Sequence, residues 1–193
     1  DGREFRRPTP DWWVDDEGLH GPDGLTLPMH LRVPGRANRG NAAQAVAAAV
    51  NMLVSAEDAV RAAESVDDVA GRYTTIQLED HDIHLLLAKN PAGWQEALNM
   101  VDRTADSLVI AVNGQEADGI DLSWLWDVRF ENFSDTAVFC SGERGTDLSV
   151  RLTYAGVEHE LIHDPLAAIR ACPPGRVEVL ANYTSFRDLF REL

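Results

Sequence analysis

Lysine is all but missing from this 193-residue chain: sixteen arginines share the positive charge with a single lysine, Lys89. Cysteine is nearly as scarce. Cys140 and Cys172 form no CxxC pair, which excludes a four-cysteine zinc site within the chain and reads as two buried free thiols in a cytosolic protein. No apolar run is long enough to cross a bilayer, and residues 1 to 20 are charged and carry no apolar leader segment. Basic excess is missing too. A net charge of −15 argues against nucleic acid as a partner and against adsorption to anionic lipid by charge alone. Neither G-x-G-x-x-G nor G-K-S/T occurs, so no nucleotide phosphate loop is present.

What remains is the composition of an ordinary globular protein, 45% hydrophobic and 25% charged. Residues 1 to 35 are rich in Pro, Gly and charge, and suggest short strands, with Trp12-Trp13-Val14 pairing against Leu25-Thr26-Leu27. The alanine-dense stretch 38 to 53 predicts a buried helix. Ser55-x-x-Asp58 opens a second one, over 55 to 66. From residue 73 the pattern alternates. YTTIQL, IHLLLA, SLVIAVN, TAVFCSG, VEHELIH and RVEVLAN read as strands, and PAGWQEALNMV as a helix with Pro at its first position. Further helices fit 143 to 155, 164 to 171 and 185 to 192. This alternation means βαβ units: an α/β class, Rossmann-like, with a mostly parallel sheet. It comes after a helical and short-strand segment, and the break falls near residue 72.

Ligands of such sheets collect outside the carboxyl ends of the strands, so AKNPAG, NGQEADGIDLSW, SGERGTD and ANYTS are the segments expected to form a polar rim. Lys89 closes an apolar strand just before Asn90-Pro91 begins a helix. It either neutralises a phosphate or carboxylate beside the free N–H groups of that helix, or snorkels past the strand end. The acid-rich stretch with Glu116, Asp118, Asp121 and Asp127 either orients a cation, an ammonium group or a partner's imidazole, or is only a long turn. In that second reading Asp118-Gly119 makes the bend and Asp121 caps a helix at LSWLW. His81 and His84 fall on opposite faces of a strand, and His159 with His163 lacks a third ligand, so no metal site is expected.

These segments resemble a known family. LPMHLRVPGRANRGNAAQAVAAA is similar to the end of the central, ATP-binding domain of Mur ligases, and GRYTTI to the hinge into their C-terminal domain. LLLAKNPAGWQEAL, VNGQEADGIDLSWLWDVRFE, SGERGTDLSVRLTYAGV and ANYTSF resemble one branch, MurT, the synthetase-like subunit of lipid II isoglutaminyl synthase. The D-Y-A-H-x-P loop of the amino-acid-adding Mur ligases stands here as Leu86-Leu87-Ala88-Lys89-Asn90-Pro91. The acid is lost and Lys replaces His, which speaks against an amino-acid- or folate-adding ligase.

The resemblance implies a remnant of the central domain over 1–72 and the MurT C-terminal α/β domain over 73–193. It implies a cytoplasmic enzyme working at the inner face of the membrane and touching it only through its lipid-linked substrate, lipid II. ATP with Mg2+ would activate the α-carboxylate of D-glutamate in the stem peptide. Ammonia from a GatD-type glutaminase subunit, the partner in a heterodimer, would then give D-isoglutamine. The family's phosphate loop and zinc ribbon would lie upstream of Asp1, FRRPTPDWWV resembling the exit from that ribbon, so the chain alone should not make acyl phosphate. Among site residues, the resemblance makes Asp121 catalytic, acting in trans on the glutaminase's Cys/His pair. Lys89, Asn90, Asp118 and Arg36 would bind substrate or phosphate. A rival expectation is a docking module that only anchors the glutaminase.

Overall fold

In the computed structural model, which describes residues 9–69, 72–133 and 136–193, the chain divides into two compact units, one running through Asp67 and the other from Asp68. The first four residues of FRRPTPDWWV and the glycine of GRYTTI lie outside the described residues. In the first unit β1 (Trp13–Val14), β2 (Leu19–His20) and β3 (Thr26–Leu27) form an antiparallel sheet in that order. The expected pairing of Trp12-Trp13-Val14 with Leu25-Thr26-Leu27 is therefore incorrect, because His20 stands between Trp13 and Thr26. The cause is local. The Asp15 carboxylate accepts the N–H groups of Glu17 (2.9 Å) and Gly18 (3.1 Å), turning the chain back before the next Gly/Asp cluster is reached.

Two helices come next, α1 (Arg36–Asn51) and α2 (Ala56–Glu64). The Ser55 hydroxyl accepts the Asp58 N–H at 3.2 Å and caps α2 as its pattern predicts. The expectation of a buried α1 is corrected: only Ala43 and Val46 are buried along it. Within this unit α1 packs mainly against α2, a sheet of two-residue strands and the Met29 loop. So small a partner covers one narrow stripe and leaves the other alanines partly or fully exposed.

The second unit holds a six-stranded sheet. Its strands are β4 (Tyr73–Leu78), β5 (His81–Leu87), β6 (Ser107–Ala111), β7 (Ala137–Ser141), β8 (His159–Leu161) and β9 (Gly175–Ala181). Across the sheet they run β4-β5-β9-β6-β7-β8. Only β4 is antiparallel to its neighbour; the other four pairings are parallel. The helices between them are α3 (Pro91–Met100), α4 (Gly145–Tyr154), α5 (Pro165–Ala171) and α6 (Tyr183–Glu192). β6 and β9 bury nearly all their residues, which explains runs such as SLVIA that show no polar alternation. On one face Ile83, Leu85, Val109, Val177 and Val179 pack with Ala168 and Ile169 of α5 and Phe186 and Leu189 of α6. Leu86, Leu108 and Ile110 alternate to the other face and are buried as well, so the sheet is covered on both sides.

That second face also contains a buried charge cluster. Glu178 is 1% exposed on the central strand β9. The Arg176 guanidinium reaches it at 2.8 Å, and also reaches Asp102 beyond α3 at 2.7 Å. A further N–H of Arg176 meets His84 Nδ1 at 2.9 Å, which makes that nitrogen an acceptor. His84 Nε2 faces Asp82 at 3.4 Å, and the Tyr73 hydroxyl lies 3.4 Å from Nδ1. Burial pushes the Glu178 carboxyl up to about 7, against the opposing pull of Arg176. Burial and the same guanidinium hold His84 below its ordinary value.

For Glu178 the folded chain keeps a proton that the unfolded chain releases. Its contribution to stability therefore falls as pH rises from about 4.5 to about 7 and is level above that window. His84 acts in the opposite sense, because the folded chain gives up its proton first; its contribution rises with pH towards 6.5. Glu178→Gln should consequently lose less stability than the parent between pH 5 and pH 8. Urea unfolding midpoints of both proteins at the two pH values check this.

Candidate functional site

Strand register makes the carboxyl edge level. Leu87 of β5 and Ala111 of β6 both pair with Ala181 of β9, and Ala111 pairs with Ser141 of β7. Four chains thus leave the sheet at one height, and the four expected polar segments open on one rim. The ladder continues one step past the strands through Ala88 N–H to Ala181 O (2.9 Å) and Val112 N–H to Ser141 O (3.0 Å). Beyond it, side chains take over. Asn182 accepts the Asn113 N–H at 3.0 Å and donates to Asn113 O at 2.7 Å, while Asn113 Oδ1 accepts the Glu143 N–H at 2.9 Å. Gly142 holds φ +90°, and a Cβ there would stand 2.4 Å from Val112 O. Only glycine fits that close crossing.

The acid-rich segment is fixed to this rim at both ends. Asp118 accepts the Thr184 N–H at 3.0 Å through one carboxylate oxygen and the Thr184 hydroxyl through the other. A negative charge thereby sits on the free N–H groups of the first turn of α6, where the helix dipole favours it. Both Asp118 oxygens take part in this anchor. Gly119, at φ +90°, makes the bend, and Ile120 and Asp121 then reach solvent. One Asp121 oxygen accepts the Ser123 N–H at 2.8 Å. The N–H and hydroxyl of Ser123 hold the Asp121 carboxyl below the usual carboxylate range. The helix expected at LSWLW is a 3-10 turn over Ser123–Asp127, and Asp121 stands before its cap, not at it.

Arg151 of α4 organises the segment after this turn, and its mid-helix place gave no sequence signal. It is buried, with Nε donating to Leu125 O (3.2 Å) and Nη2 donating to Val128 O (2.7 Å) and Glu131 (2.8 Å). Its guanidinium also lies over the rings of Trp126 (5.5 Å) and Phe130 (5.4 Å). The other tryptophan of the motif, Trp124, stacks on buried Trp94 of α3 at 5.5 Å. Asp121 therefore stands on a loop stiffened from beneath. Beside it opens a groove of about 420 Å³ lined by Ile120, Leu125, Trp126, Val150 and the Arg144–Asp147 ion pair. Ile120, Trp126, Val150 and Tyr154 are exposed around it, and Trp126 meets Tyr154 edge-on at 5.4 Å. An ionised, solvent-facing carboxylate framed by apolar side chains is suited to receive a cationic or N–H-bearing group from another molecule.

Lys89 is exposed at the end of β5, its ammonium 5.8 Å above the Tyr183 ring. Asn90 is the cap of α3 and accepts the Gly93 N–H at 2.8 Å, so one of the helix donors expected to serve a ligand is already taken. Lys89 and Asp121 come after β5 and β6, which are successive in sequence but separated in the sheet by β9. Arg36 opens α1 in the other unit, exposed. His81 Nε2 donates to Cys172 O (3.1 Å), and His163 Nδ1 donates to Gly142 O (3.1 Å). Among the described residues no group of three or more His, Cys, Asp or Glu is placed to hold a metal ion. Both cysteines are free and buried, and burial pushes the Cys140 thiol up to about 11.

A level parallel rim with a polar loop at each strand end defines a Rossmann-like α/β domain with a mostly parallel sheet, and solved structures carry the same fold. A pseudomurein peptide ligase type C from Methanothermus fervidus matches 97% of this chain and 43% of its own, with TM-score 0.68 and 16% identity. MurF from Acinetobacter baumannii matches 91% and 41%, with TM-score 0.64 and 18% identity. The chain belongs to the MurT ligase C-terminal family, whose model matches residues 87–186. Among curated relatives, the MurT subunit of lipid II isoglutaminyl synthase (glutamine-hydrolyzing) from Streptococcus pneumoniae is 30% identical over 174 residues, 84% of this chain. That from Staphylococcus aureus is 27% identical over 172. The chain spans 39% of the length of each.

Arg151→Leu tests the support beneath Asp121. It strands two buried carbonyls and removes the cation from two ring faces, so a loss of roughly 2–4 kcal/mol is expected from denaturant unfolding. Tryptophan fluorescence should report a freed Trp126.

Proposed function

We propose that this chain is the C-terminal part of the synthetase subunit of a lipid II isoglutaminyl synthase. The enzyme would be an ATP-dependent carbon–nitrogen ligase that amidates the D-glutamate of the stem peptide with ammonia from a GatD-type glutaminase. Family membership and the names of the curated relatives support the reading. The observation that carries it is Asp121: ionised, exposed, fixed by Ser123 and set at the lip of an apolar-flanked groove. Such a carboxylate, presented in trans, accepts the Nδ1–H of a partner's catalytic histidine, orients the ring and stabilises its charged form. Asp118, anchored to α6, keeps the loop in place.

ATP would supply the phosphoryl group that activates the substrate carboxylate. Lys89, unencumbered by any ion pair among the described residues and exposed on the rim, suits an anionic phosphate or carboxylate, with Asn90 next to it in sequence; Arg36, exposed at the start of α1, is the first unit's own candidate for such a group. No cluster of carboxylates among the described residues fits Mg2+. The second reading, a docking module without chemistry of its own, is favoured by the exposed side chains of Ile120, Trp126, Val150 and Tyr154. The two differ in what Asp121 does after the partner has bound.

Asp121→Asn keeps the shape and removes the charge. In the reconstituted full-length complex, glutamine hydrolysis should fall about a hundredfold or more while the complex still forms and amidation with ammonium salt persists. Normal turnover of glutamine by Asp121→Asn would leave the docking reading standing. Failure with ammonium as well would move the residue's role to the synthetase site. Lys89→Ala should do the reverse, retaining glutamine hydrolysis and losing amidation even when ammonium is supplied, as read by product analysis of lipid II.

A further inference from the structure

The single lysine of the chain is paired with a tyrosine, and both stand on fixed backbone. Before Lys89, the Ala88 N–H still bonds Ala181 O at 2.9 Å; after it, the Asn90 side chain caps α3 through the Gly93 N–H at 2.8 Å. Tyr183 opens α6 between two residues that are tied as well. Asn182 exchanges hydrogen bonds with the main chain of Asn113, and Thr184 gives both its N–H and its hydroxyl to Asp118. The strands that end here, β5 and β9, are neighbours with Leu87 against Ala181. The two side chains therefore emerge together, and the Lys89 ammonium lies over the Tyr183 ring, 5.8 Å from its centre.

That contact constrains an otherwise free cation. A lysine carries its charge on a flexible four-carbon stem, and ordering that stem at an exposed strand end is opposed by entropy. The negative face of an aromatic ring attracts the ammonium, enough at an exposed site to favour one arrangement about two- to fivefold. Tyr183 is 41% exposed, whereas Phe186 and Leu189 of the same helix pack into the core, so its ring is not there to close the sheet. The pairing also uses what separates lysine from arginine. A guanidinium stacks flat on such a ring, while an ammonium is a compact charge with three donors, and those turned away from the ring remain for an incoming oxygen. Arg187, one helical turn on from Tyr183, is already held by Asp188 through Nε and Nη2, each at 2.7 Å.

We propose that Tyr183 is a positioning residue of the anion site: its ring face holds the Lys89 ammonium at the rim, in place for the phosphate or carboxylate oxygen it is to meet. The proposal deepens the reading of Lys89 given above and rests on it. Asp118 then serves the same site indirectly, by fixing the turn of α6 from which Tyr183 projects.

Because Lys89 is the only lysine, a chain grown with isotope-labelled lysine gives a single ε-methylene signal by NMR, and the ring current of Tyr183 reads the contact directly. That proton signal should lie upfield of its free-peptide position in the parent and in Tyr183→Phe, and return to it in Tyr183→Leu. In the reconstituted full-length complex supplied with ammonium salt, Tyr183→Leu should lower kcat for amidation about two- to fivefold with KM for ammonium unchanged. Tyr183→Phe should restore most of that loss, because the ring and not the hydroxyl does the holding. A free-peptide position in the parent would overturn the contact. An upfield signal with full amidation by Tyr183→Leu, or no recovery in Tyr183→Phe, would overturn the positioning role. Full amidation by Lys89→Ala would instead overturn the reading of Lys89, and the role of Tyr183 with it, while the parent's upfield signal stayed.

Discussion

Three of the four rim loops depend on two asparagines. Asn182 exchanges a pair of hydrogen bonds with the main chain of Asn113, in effect adding one more rung between β9 and β6 after the strands have ended. Asn113 then passes the constraint to Glu143 past β7. Three loops that would otherwise diverge are tied where hydrophobic packing has run out. Both asparagines are buried, so the two bonds between them are made away from competing water. The acid-rich loop and the apolar-flanked groove both start from these tied points.

Much of this is legible in the sequence, and the reasons differ by element. Strand-ending polar segments can be read because the apolar runs before them are buried on both faces and stop abruptly. Helix starts at Ser55 and Pro91 can be read because capping is a local interaction, complete within a few residues. What the sequence hides is non-local. Nothing in RVEVLAN says that it enters the middle of the sheet. An arginine in the middle of α4 reads as a solvated residue, yet Arg151 supports the whole tryptophan motif. The alanine-rich α1 misleads for a related reason: composition reports what a helix is able to bury, and the surrounding structure decides what it does bury.

The acids of the ADGID segment show how one short motif divides its labour. Asp118 and Asp121 are close in sequence and chemically alike, yet Gly119 between them turns one back to the helix and sends the other to solvent. The inner acid gives up its hydrogen-bonding capacity to gain position, and the outer acid borrows that position and keeps a free oxygen. Turn and functional group are therefore not alternatives here. The turn is what allows the exposed carboxylate to be presented rigidly, and rigid presentation is what a residue completing another protein's site requires.

The place of β9 carries a consequence for how the domain is made. It is the sheet strand furthest along the chain, and it lies between β5 and β6. As the polypeptide emerges from the ribosome, β4-β5 can close as a hairpin and β6 can pair with β7, but these two halves have no strand ladder to form with each other. Each must wait with an apolar edge open until residues 175–181 arrive to join them. Closure of the sheet is thus delayed until β9 has been made. The halves are then joined by one strand whose long-range pairings all form late.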